Sequence, residues 1–431
     1  MASFSFGAGN ARKLAALPLY AAGWLVTAVI PRSRDDWVFG CGAGIGDGAL
    51  ALWETAIQRE GHRGLWLVSN TREAADATAR GIPFAFKNTL RGFWRTTRAR
   101  VVVVTHGFGD VNRYAVSGAF VVQLWHGIPL KRIGLDSPET IRLPSVISRL
   151  PFAGVLRGLL AGMYAGAARR IRVLPAASDL VRGRLESAFS LSNERVPVTG
   201  EPRVDVLSRG TLLGRRSAAR SEVDRVAGPI DPASRLVLYA PTWRDGEIDP
   251  AIPSPQEWFA LIEVLTRHDA VLLVRSHPLG AGSYVPPVPT ERVRPIGSNL
   301  VTDITPVLPG VDALITDYSS LAFDAGLVPL PVVYFAPDLE TYERRRGFYG
   351  RYADVAGSDA PRTWSDATTH LDAVLSDDDA RAGATARSRA LSDRMHAHRD
   401  GHNTDRVYRA ILRGLSARAM PPADAVSGGE R

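Results

Sequence analysis

The sequence predicts an α/β protein with two Rossmann-like domains whose parallel sheets face a central cleft. From Pro31 onwards, short apolar runs alternate with helical stretches, and the alternation restarts after a strand-free stretch rich in Arg, Ala and Ser at 208–232. Strands that alternate with helices form parallel sheets with both faces covered. The length of 431 residues also favours two domains.

The N-terminal segment, residues 1–34, is expected to associate with a membrane. Leu14 to Ile30 carries no charged side chain, and basic residues flank it at positions 12, 13, 32 and 34. A spanning helix needs about 20 apolar residues, and Pro18 and Gly23 weaken this one further. We expect an interfacial helix whose basic flanks meet anionic lipid. A short signal anchor and a helix packed on the protein's own surface are the alternatives.

The first Rossmann-like domain is expected at 35–210, with strands at 37–40, 65–69, 101–105, 120–125, 172–176 and 196–199. A glycine series precedes a predicted helix from Asp47 to Arg59. A dinucleotide fingerprint requires G-x-G-x-x-G and an acidic residue about 20 positions later. The spacing differs here and the next strand ends at Asn70, so NAD is not expected. The glycines favour a loop that approaches the cleft closely.

The second domain is expected at 211–418, with strands at 236–240, 270–274, 292–295, 312–316 and 332–335. The tail at 419–431 is rich in Ala, Gly, Pro and Ser and is predicted to be disordered.

Charge and cysteine content narrow the classes of partner. The chain has 52 Lys and Arg against 44 Asp and Glu, a formal charge of +8, and one cysteine. One cysteine excludes a disulfide framework and a thiolate zinc cluster. The positive charge favours phosphates, nucleotides or an anionic leaflet. Nucleic acid is not the expected partner, because no zinc finger, compact recognition helix or aromatic-basic platform is visible.

The first candidate for chemistry is His126. It follows the apolar run at 120–122 and precedes Gly127 and Pro129, so it lies where a strand ends and a turn begins. Ligands of open α/β sheets bind beyond the carboxyl ends of strands, and histidine suits proton transfer near neutral pH. This stretch alone favours a histidine that only holds a turn. His277, at a strand end in the second domain, shifts the interpretation towards a two-histidine site; His106 either lines the cleft or is a turn residue.

Arginines near two other predicted strand ends are candidate ligands for phosphate groups. Arg203 presents a planar fork that matches phosphate oxygens, and Asp205 either orients it or, as we favour, caps the following helix. Arg275 lies two residues before His277, so the pair could neutralise a transferring phosphoryl group.

Nucleotide contacts are expected from two motifs of the second domain. In YAPTWRD, Thr242 suits a phosphate, and Trp243 either packs against a base or ribose or joins the domain core. In DYSSLAFD, Ser319 and Ser320 lie at a predicted helix N-terminus, where free N–H groups bind anions. Asp324 could bind a ribose or glycerol hydroxyl. The alternative for the whole motif is that it only caps the N-terminus of the predicted helix.

No metal site and no cofactor are expected. The three histidines at 396, 398 and 402 have a zinc-like spacing, but Asp400 and Gly401 indicate a helix stop between them. Asp377, Asp378 and Asp379 precede an Ala- and Arg-rich helix and fit an N-terminal cap better than a metal-binding D-x-D pattern.

These motifs together resemble the CDP-glycerol glycerophosphotransferases of wall teichoic acid and capsule synthesis. The resemblance runs from about Pro31 to Leu412. The matching stretches are WVFG (37–40), RARVVVVTHG (98–107), DVNR (110–113), QLWHGIPLKRIG (123–134), PRVDVL (202–207), APTWR (240–244), RSHP (275–278), ITDYSSLAFD (315–324) and RGFY (346–349). Asp47-Gly48 departs from the acidic-Asn pair usual at that point.

The resemblance implies a GT-B-like fold and a peripheral enzyme at the cytoplasmic face of the cell membrane. It implies transfer of glycerol phosphate from CDP-glycerol to a hydroxyl of a lipid-linked acceptor, with release of CMP. The first domain would be the acceptor side and the second the CDP-donor side. His126 would be the general base, and His277 would act with Arg275 on the donor phosphates. The implied substrate-binding residues are Gly127, Ile128, Pro129, Leu130, Arg203, Thr242, Trp243, Arg275, Ser276, Ser319, Ser320 and Asp324.

Three alternatives remain open at this point. A CDP-ribitol-dependent transferase would share the site, and a nucleotide-sugar glycosyltransferase would share the architecture but release a nucleoside diphosphate. A nucleotide- or lipid-binding protein without catalysis would bind the donor without turnover, and the paired histidines argue against it.

Overall fold

The structure is a computed structural model that describes residues 16–143, 148–242, 244, 249–276 and 283–419. It contains two fully parallel sheets, ordered β3-β2-β1-β4-β5-β6 and β11-β10-β7-β8-β9. The strands are β1 Asp36–Phe39, β2 Arg63–Val68, β3 Phe84–Phe86, β4 Val101–Val104, β5 Phe120–Gln123, β6 Ile171–Val173, β7 Arg235–Ala240, β8 Ala270–Val274, β9 Val293–Pro295, β10 Ala313–Thr316 and β11 Val332–Tyr334. The predicted fold class is confirmed.

Helices cover the sheets and join the strands. They are α1 Leu17–Val29, α2 Asp47–Trp53, α3 Thr71–Ala79, α4 Leu90–Arg98, α5 Ala153–Ala168, α6 Asp179–Phe189, α7 Leu212–Ala227, α8 Pro255–Arg267, α9 Leu321–Ala325, α10 Leu339–Arg346, α11 Ala353–Ala356, α12 Trp364–Ser376, α13 Asp378–Met395 and α14 Asn403–Ala419. A π-helical turn, Glu54–Arg59, extends α2.

The order of the first sheet places β1 between β2 and β4. Connections leave β1 and β4 in opposite directions, which opens a crevice beyond their carboxyl ends. The glycine loop after β1 and the loop after β4 that holds His106 line this crevice. All four residues of β4 are buried valines, as expected for a strand covered on both faces.

The strand predictions fail at two places. Residues 196–199 form no strand and make only one bridge, Ala176 to Val198, because Pro197 has no N–H to donate to a ladder. β3 was not predicted, since its three residues are too few to show a period.

The predicted continuity of the second domain to residue 418 is wrong at its last helix. Val407, Ile411 and Leu415 of α14 follow one another at intervals of about one turn on one face and pack into the core that contains Trp37 and Phe120 of the first sheet. The chain therefore returns to the first domain at its end. Residues 420–431, predicted to be disordered, lie outside the described residues.

The predicted N-terminal helix is present as α1. Gly23 contacts Tyr114, where a Cβ would come within 2.2 Å of the Tyr114 carbonyl oxygen. Within the described part of the chain, no helix has both the length and the apolarity needed to cross a membrane.

Candidate active site

The candidate site lies where loops at the carboxyl ends of both sheets meet. The loop after β5 makes an antiparallel bridge from Lys131 to Phe348 of the second domain. Arg184 of α6 donates to the carbonyl oxygens of Pro129 and Tyr349, at 2.7 and 3.1 Å, and so ties the same two loops together. The stretch that holds His126 is thus fixed against the second domain.

The backbone around His126 has an unusual conformation. Trp125 has φ of 62°, a left-handed value that is costly for a bulky residue, and Gly127 has φ of 141°. A Cβ on Gly127 would lie 2.6 Å from the Ser320 hydroxyl oxygen. Only glycine therefore lets the residue after His126 touch the donor-side loop, and this places His126 at the domain boundary.

The His126 ring is stacked on a second imidazole. The rings of His106 and His126 lie 4.1 Å apart at an angle of 2°. Nδ1 of His126 lies 3.5 Å from the carbonyl oxygen of Thr105, the limit for a hydrogen bond. A carbonyl can only accept, so this contact puts the proton on Nδ1 and leaves Nε2 with a lone pair.

Both stacked histidines favour the neutral form. His126 is exposed to solvent as a residue, yet its ring is crowded by protein atoms. This crowding, and then the charge of His106, hold the pKa of His126 well below its ordinary value. Burial likewise lowers the pKa of His106, although Asp110 opposes the shift. A neutral imidazole at pH 7 can accept a proton, as a general base must.

Asp110 shapes the loop under this stack. Its buried carboxylate accepts the backbone N–H groups of Thr105 and His106, at 2.9 and 2.7 Å. The Thr105 hydroxyl also lies 2.7 Å from Nδ1 of His106. His106 is thus held in place from its backbone and its ring.

Arg203 and Asp324 meet each other across the domain boundary. Arg203 donates to both carboxylate oxygens of Asp324, at 2.7 and 2.9 Å, and its other edge faces Glu201. Both residues are buried, and His396 lies 3.5 Å from Asp324. Burial alone would raise the pKa of Asp324, but Arg203 holds it below the ordinary value. In this structure the pair joins the domains; the predicted contacts of Arg203 with phosphate and of Asp324 with a hydroxyl stay predictions.

Arg275 lies at the end of β8, as predicted. Its guanidinium donates to the carbonyl oxygens of Ile296, Val301 and Thr302, so it shapes the loop that faces the glycine series. Among the described residues it has no ion-pair partner. Burial lowers its pKa to about 10, so it remains charged at pH 7. Ser276 follows it at the half-buried cleft edge.

The loop after β7 is anchored by ion pairs. Arg244 pairs with Asp317 and Asp338 and lies 5.0 Å from the ring centres of Tyr318 and Tyr342. Thr242 donates its backbone N–H to Asp317 at 2.8 Å. These contacts bring Thr242 beside the strand that leads to Ser319.

Ser319 and Ser320 begin a helix that is shorter than predicted, α9. The Ser319 hydroxyl accepts the N–H of Leu321 at 3.2 Å, a local N-terminal contact. Ser320 makes no side-chain cap and instead abuts Gly127. Of the two hydroxyls, that of Ser320 is directed to the cleft.

Two predicted site residues, His277 and Trp243, lie outside the described residues. Asp205 caps a helix, but not the one that follows it. Its carboxylate accepts the N–H groups of Asn403 and Thr404 at the start of α14. The sequence could not reveal a cap across this separation.

Two sequence patterns that resemble metal sites, the aspartates at 377–379 and the histidines at 396–402, make other contacts in the described structure. Asp377 accepts the N–H of Asp379 and caps α13, as predicted. His396 contacts Phe323 and Asp324, whereas His402 contacts Asp405 at the surface. No group of three potential metal ligands occurs among the residues that the structure describes.

Sequence reasoning missed Lys131 as a site residue. Its positive charge lowers the pKa of His126 in the first domain. The charges of Asp317, Arg244 and Arg346 in the second domain act on Lys131 in turn, so its ammonium interacts electrostatically with groups of both domains. Burial, followed by the charge of Arg346, lowers its pKa to about 8. No hydrogen bond or ion pair links its ammonium to another described residue. Its position directly after HGIPL was the available signal.

Asp47 and Asp303 bring two carboxylates together at the glycine loop. Asp47 has φ of 60°, and its N–H donates to Asp303 at 3.2 Å. Burial, followed by the charge of Asp303, raises the pKa of Asp47 to about 7. In an unfolded chain this carboxyl titrates near pH 4.

The Asp47→Asn variant is expected to be more stable than the parent at pH 8 and similar to it at pH 4. Folding raises the pKa of the Asp47 carboxyl, so the protonated carboxyl stabilises the folded state fully at pH values below its unfolded pKa. This stabilisation is lost as the pH rises through about 7. Asparagine also tolerates positive φ. Thermal melts should show a gain of roughly 2 °C at high pH only. The control Asp76→Asn, at a partly exposed position of α3, should show no gain. An equal gain at both pH values would contradict this account.

The chain matches known proteins over nearly its whole length. A family model for CDP-glycerol:poly(glycerophosphate) glycerophosphotransferases matches residues 38–413. A teichoic acid glycerol-phosphate transferase of Staphylococcus aureus (strain NCTC 8325 / PS 47) is 28% identical over 320 residues, which cover 71% of this chain and 75% of that protein. A teichoic acid poly(glycerol phosphate) polymerase of Bacillus subtilis (strain 168) is 25% identical over 335 residues, 76% of this chain but only 42% of that protein.

Solved structures show the same fold. The wall teichoic acid polymerase TagF superimposes with a TM-score of 0.73 at 20% identity, covering 95% of this chain and 97% of that one. A TagF variant soaked with CDPG gives 0.73 at 21% identity, with 93% and 94% covered. With a family model that spans residues 38–413 and the two-domain fold in place, the chain belongs to the CDP-glycerol:poly(glycerophosphate) glycerophosphotransferase family.

Proposed function

We propose that the central cleft transfers glycerol phosphate from CDP-glycerol to a hydroxyl of a lipid-linked acceptor in the synthesis of a teichoic acid or capsule-type polymer. The acceptor oxygen attacks the β-phosphorus of the donor, a new P–O bond forms, and the bond to the α-phosphate oxygen breaks. CMP leaves with the negative charge. His126 Nε2 accepts the proton of the attacking hydroxyl.

The neutral His126 at the domain boundary carries this proposal. Its Nε2 is free to accept a proton, and its neighbour Gly127 touches the donor-side Ser320. Arg275 of the second domain and Lys131 of the loop after β5 supply positive charge to the cleft. Phosphoryl transfer needs positioning and charge neutralisation more than covalent help from the protein, and these groups provide both.

A donor screen tests the proposal and separates it from its rivals. Purified enzyme is incubated with CDP-glycerol, CDP-ribitol or a nucleotide sugar and with membrane acceptor, and the products are analysed by mass. Release of CMP with addition of glycerol phosphate supports the proposal. Release of a nucleoside diphosphate would identify a glycosyltransferase, ribitol phosphate addition would identify the other polyol, and binding without turnover would identify a non-catalytic protein.

The Lys131→Met variant is expected to raise the KM for CDP-glycerol at least about tenfold, because an ammonium that faces the donor phosphates is removed. In the parent enzyme the same KM should rise above pH 8, where Lys131 loses its proton. Lys131→Arg should keep the affinity to higher pH, since guanidinium stays charged. A pH-independent KM in the parent would contradict the assignment.

We further propose that the protein acts as a peripheral protein at the cytoplasmic face of the cell membrane. α1 exposes Leu19, Trp24, Leu25 and Val29, with Val29 80% exposed. Basic residues flank this helix, and the cytoplasmic leaflet carries a negative surface potential that attracts them. Cosedimentation with vesicles tests the contact.

A further inference from the structure

A cavity of about 390 Å³ lies beside the C-terminal end of α1, away from the candidate active site. Arg100 and Phe120, which line it, stand at the starts of β4 and β5, whereas His106 and His126 follow the opposite ends of these strands. Strands of this length separate the two edges of a parallel sheet by roughly 13 Å. The cavity is therefore distinct from the cleft.

Three guanidinium groups surround this cavity without a carboxylate. Arg32 donates to four carbonyl oxygens, those of Thr96, Ala99, Ala115 and Ser117. Arg100 donates to the carbonyl oxygen of Arg34, and Arg418 to that of Gly118. Within the described ranges none of the three arginines has an ion-pair partner, so their charges are left to an outside anion.

Two further features favour anion binding at this cavity. Nε of Arg32 is buried and has no hydrogen-bond partner among the described residues. It faces Gly118, where a Cβ would come within 3.3 Å of it. Burial and the like charge of Arg418 lower the pKa of Arg32 to about 10, so the guanidinium is still charged and repelled by its neighbour at pH 7.

The walls of the cavity indicate which anion fits. Thr27 and Ile30 of the α1 region and Leu415 of α14 contribute apolar surface next to the arginines. On the same helix as Thr27, α1 exposes Trp24 and Val29. A phosphate attached to an acyl chain satisfies both parts, because its charge meets arginine and its chain lies along the exposed helix.

We propose that Arg32, Arg100 and Arg418 form a binding site for the phosphate headgroup of an anionic membrane lipid. The lipid is not the substrate, since the site lies at the opposite sheet edge from His126. It anchors the first domain by its α1 face. This inference rests on the proposed membrane contact of α1 and adds a specific headgroup site to it.

Vesicle cosedimentation of the full chain tests the site, with Arg100→Gln/Arg418→Gln as the variant. Arg32 is left intact because it braces four carbonyls. The parent should bind vesicles with phosphatidylglycerol more tightly than pure phosphatidylcholine vesicles, and the variant should lose about 30-fold in affinity for the former only. The control Arg409→Gln/Arg413→Gln also removes two positive charges, here from α14 outside the cavity. It should change the affinity for phosphatidylglycerol vesicles less than about threefold.

The outcomes separate this site from the other proposals. Equal losses in both double variants would overturn the headgroup site and leave only a diffuse electrostatic contact. Displacement of the parent from vesicles by millimolar glycerol 3-phosphate would overturn the lipid assignment in favour of a free phosphate. Parent protein that binds no vesicle would overturn the membrane contact as well. CMP release with a soluble acceptor should be unchanged in both variants, so failure of the catalytic proposal is seen independently.

Discussion

Replacement of His126 by alanine is expected to abolish glycerol phosphate transfer, with kcat reduced at least about 10³-fold. The variant lacks the imidazole that contacts the Thr105 carbonyl oxygen and whose neighbour Gly127 touches the donor-side Ser320. Donor binding should remain mostly intact, because the phosphate charges are met by other groups. Turnover is measured as CMP release under saturating donor, and affinity by titration with CDP-glycerol.

The pH profile tests the same role independently. A base whose pKa lies well below the ordinary histidine value stays neutral at pH 6.5, so kcat should be flat there and fall only at lower pH. His370→Ala, on the exposed side of α12, is the control and should leave the rate unchanged. Retained turnover in His126→Ala would refute the base assignment.

The second large effect is expected from Arg203→Met, which should destabilise the protein by about 3–5 kcal/mol. Removal of the guanidinium leaves Asp324 and Glu201 buried without their partner. Arg203→Met/Asp324→Leu should recover part of the loss, because it also removes one stranded charge. Denaturant unfolding at constant pH measures both.

A surface pair provides the contrast. Arg216 pairs with Asp312, but both side chains are partly exposed, and Arg220 also holds Asp312. Arg216→Met should therefore cost no more than about 1 kcal/mol. If Arg203→Met were no more destabilising than Arg216→Met, the buried network would not join the domains. Loss of transfer without loss of stability would instead support a direct phosphate contact of Arg203.

Most strands and helices could be predicted from the sequence because each depends on a residue pattern within a short segment. The buried valines of β4, the glycines after β1 and the Gly/Pro turn after His126 each lie within a few residues of one another. Parallel sheets require that strand ends share an edge, so His106 either lines the cleft with His126 or only holds a turn on sequence grounds. The structure stacks the two rings 4.1 Å apart.

Contacts between residues far apart in the sequence could not be predicted from such short patterns. Arg203 and Asp324 are 121 positions apart, and Asp205 caps a helix that begins 198 positions later. Lys131 follows HGIPL in the sequence, but its approach to the second domain depends on the bridge that its loop makes to Phe348. The packing of α14 against the first sheet could not be predicted either. Its amphipathic pattern shows that one face is buried but not which domain covers that face.

The sequence by itself determined two parallel α/β domains, the strand ends that carry polar groups, and the family resemblance. The tertiary structure decided which of these groups meet, because electrostatic and hydrogen-bond interactions act over a few ångströms and depend on the docking of the two domains. Arg203, a candidate phosphate ligand on sequence grounds, is paired with Asp324 once the domains dock. His126 faces the donor side for the same reason: Gly127 has no side chain to hold Ser320 away.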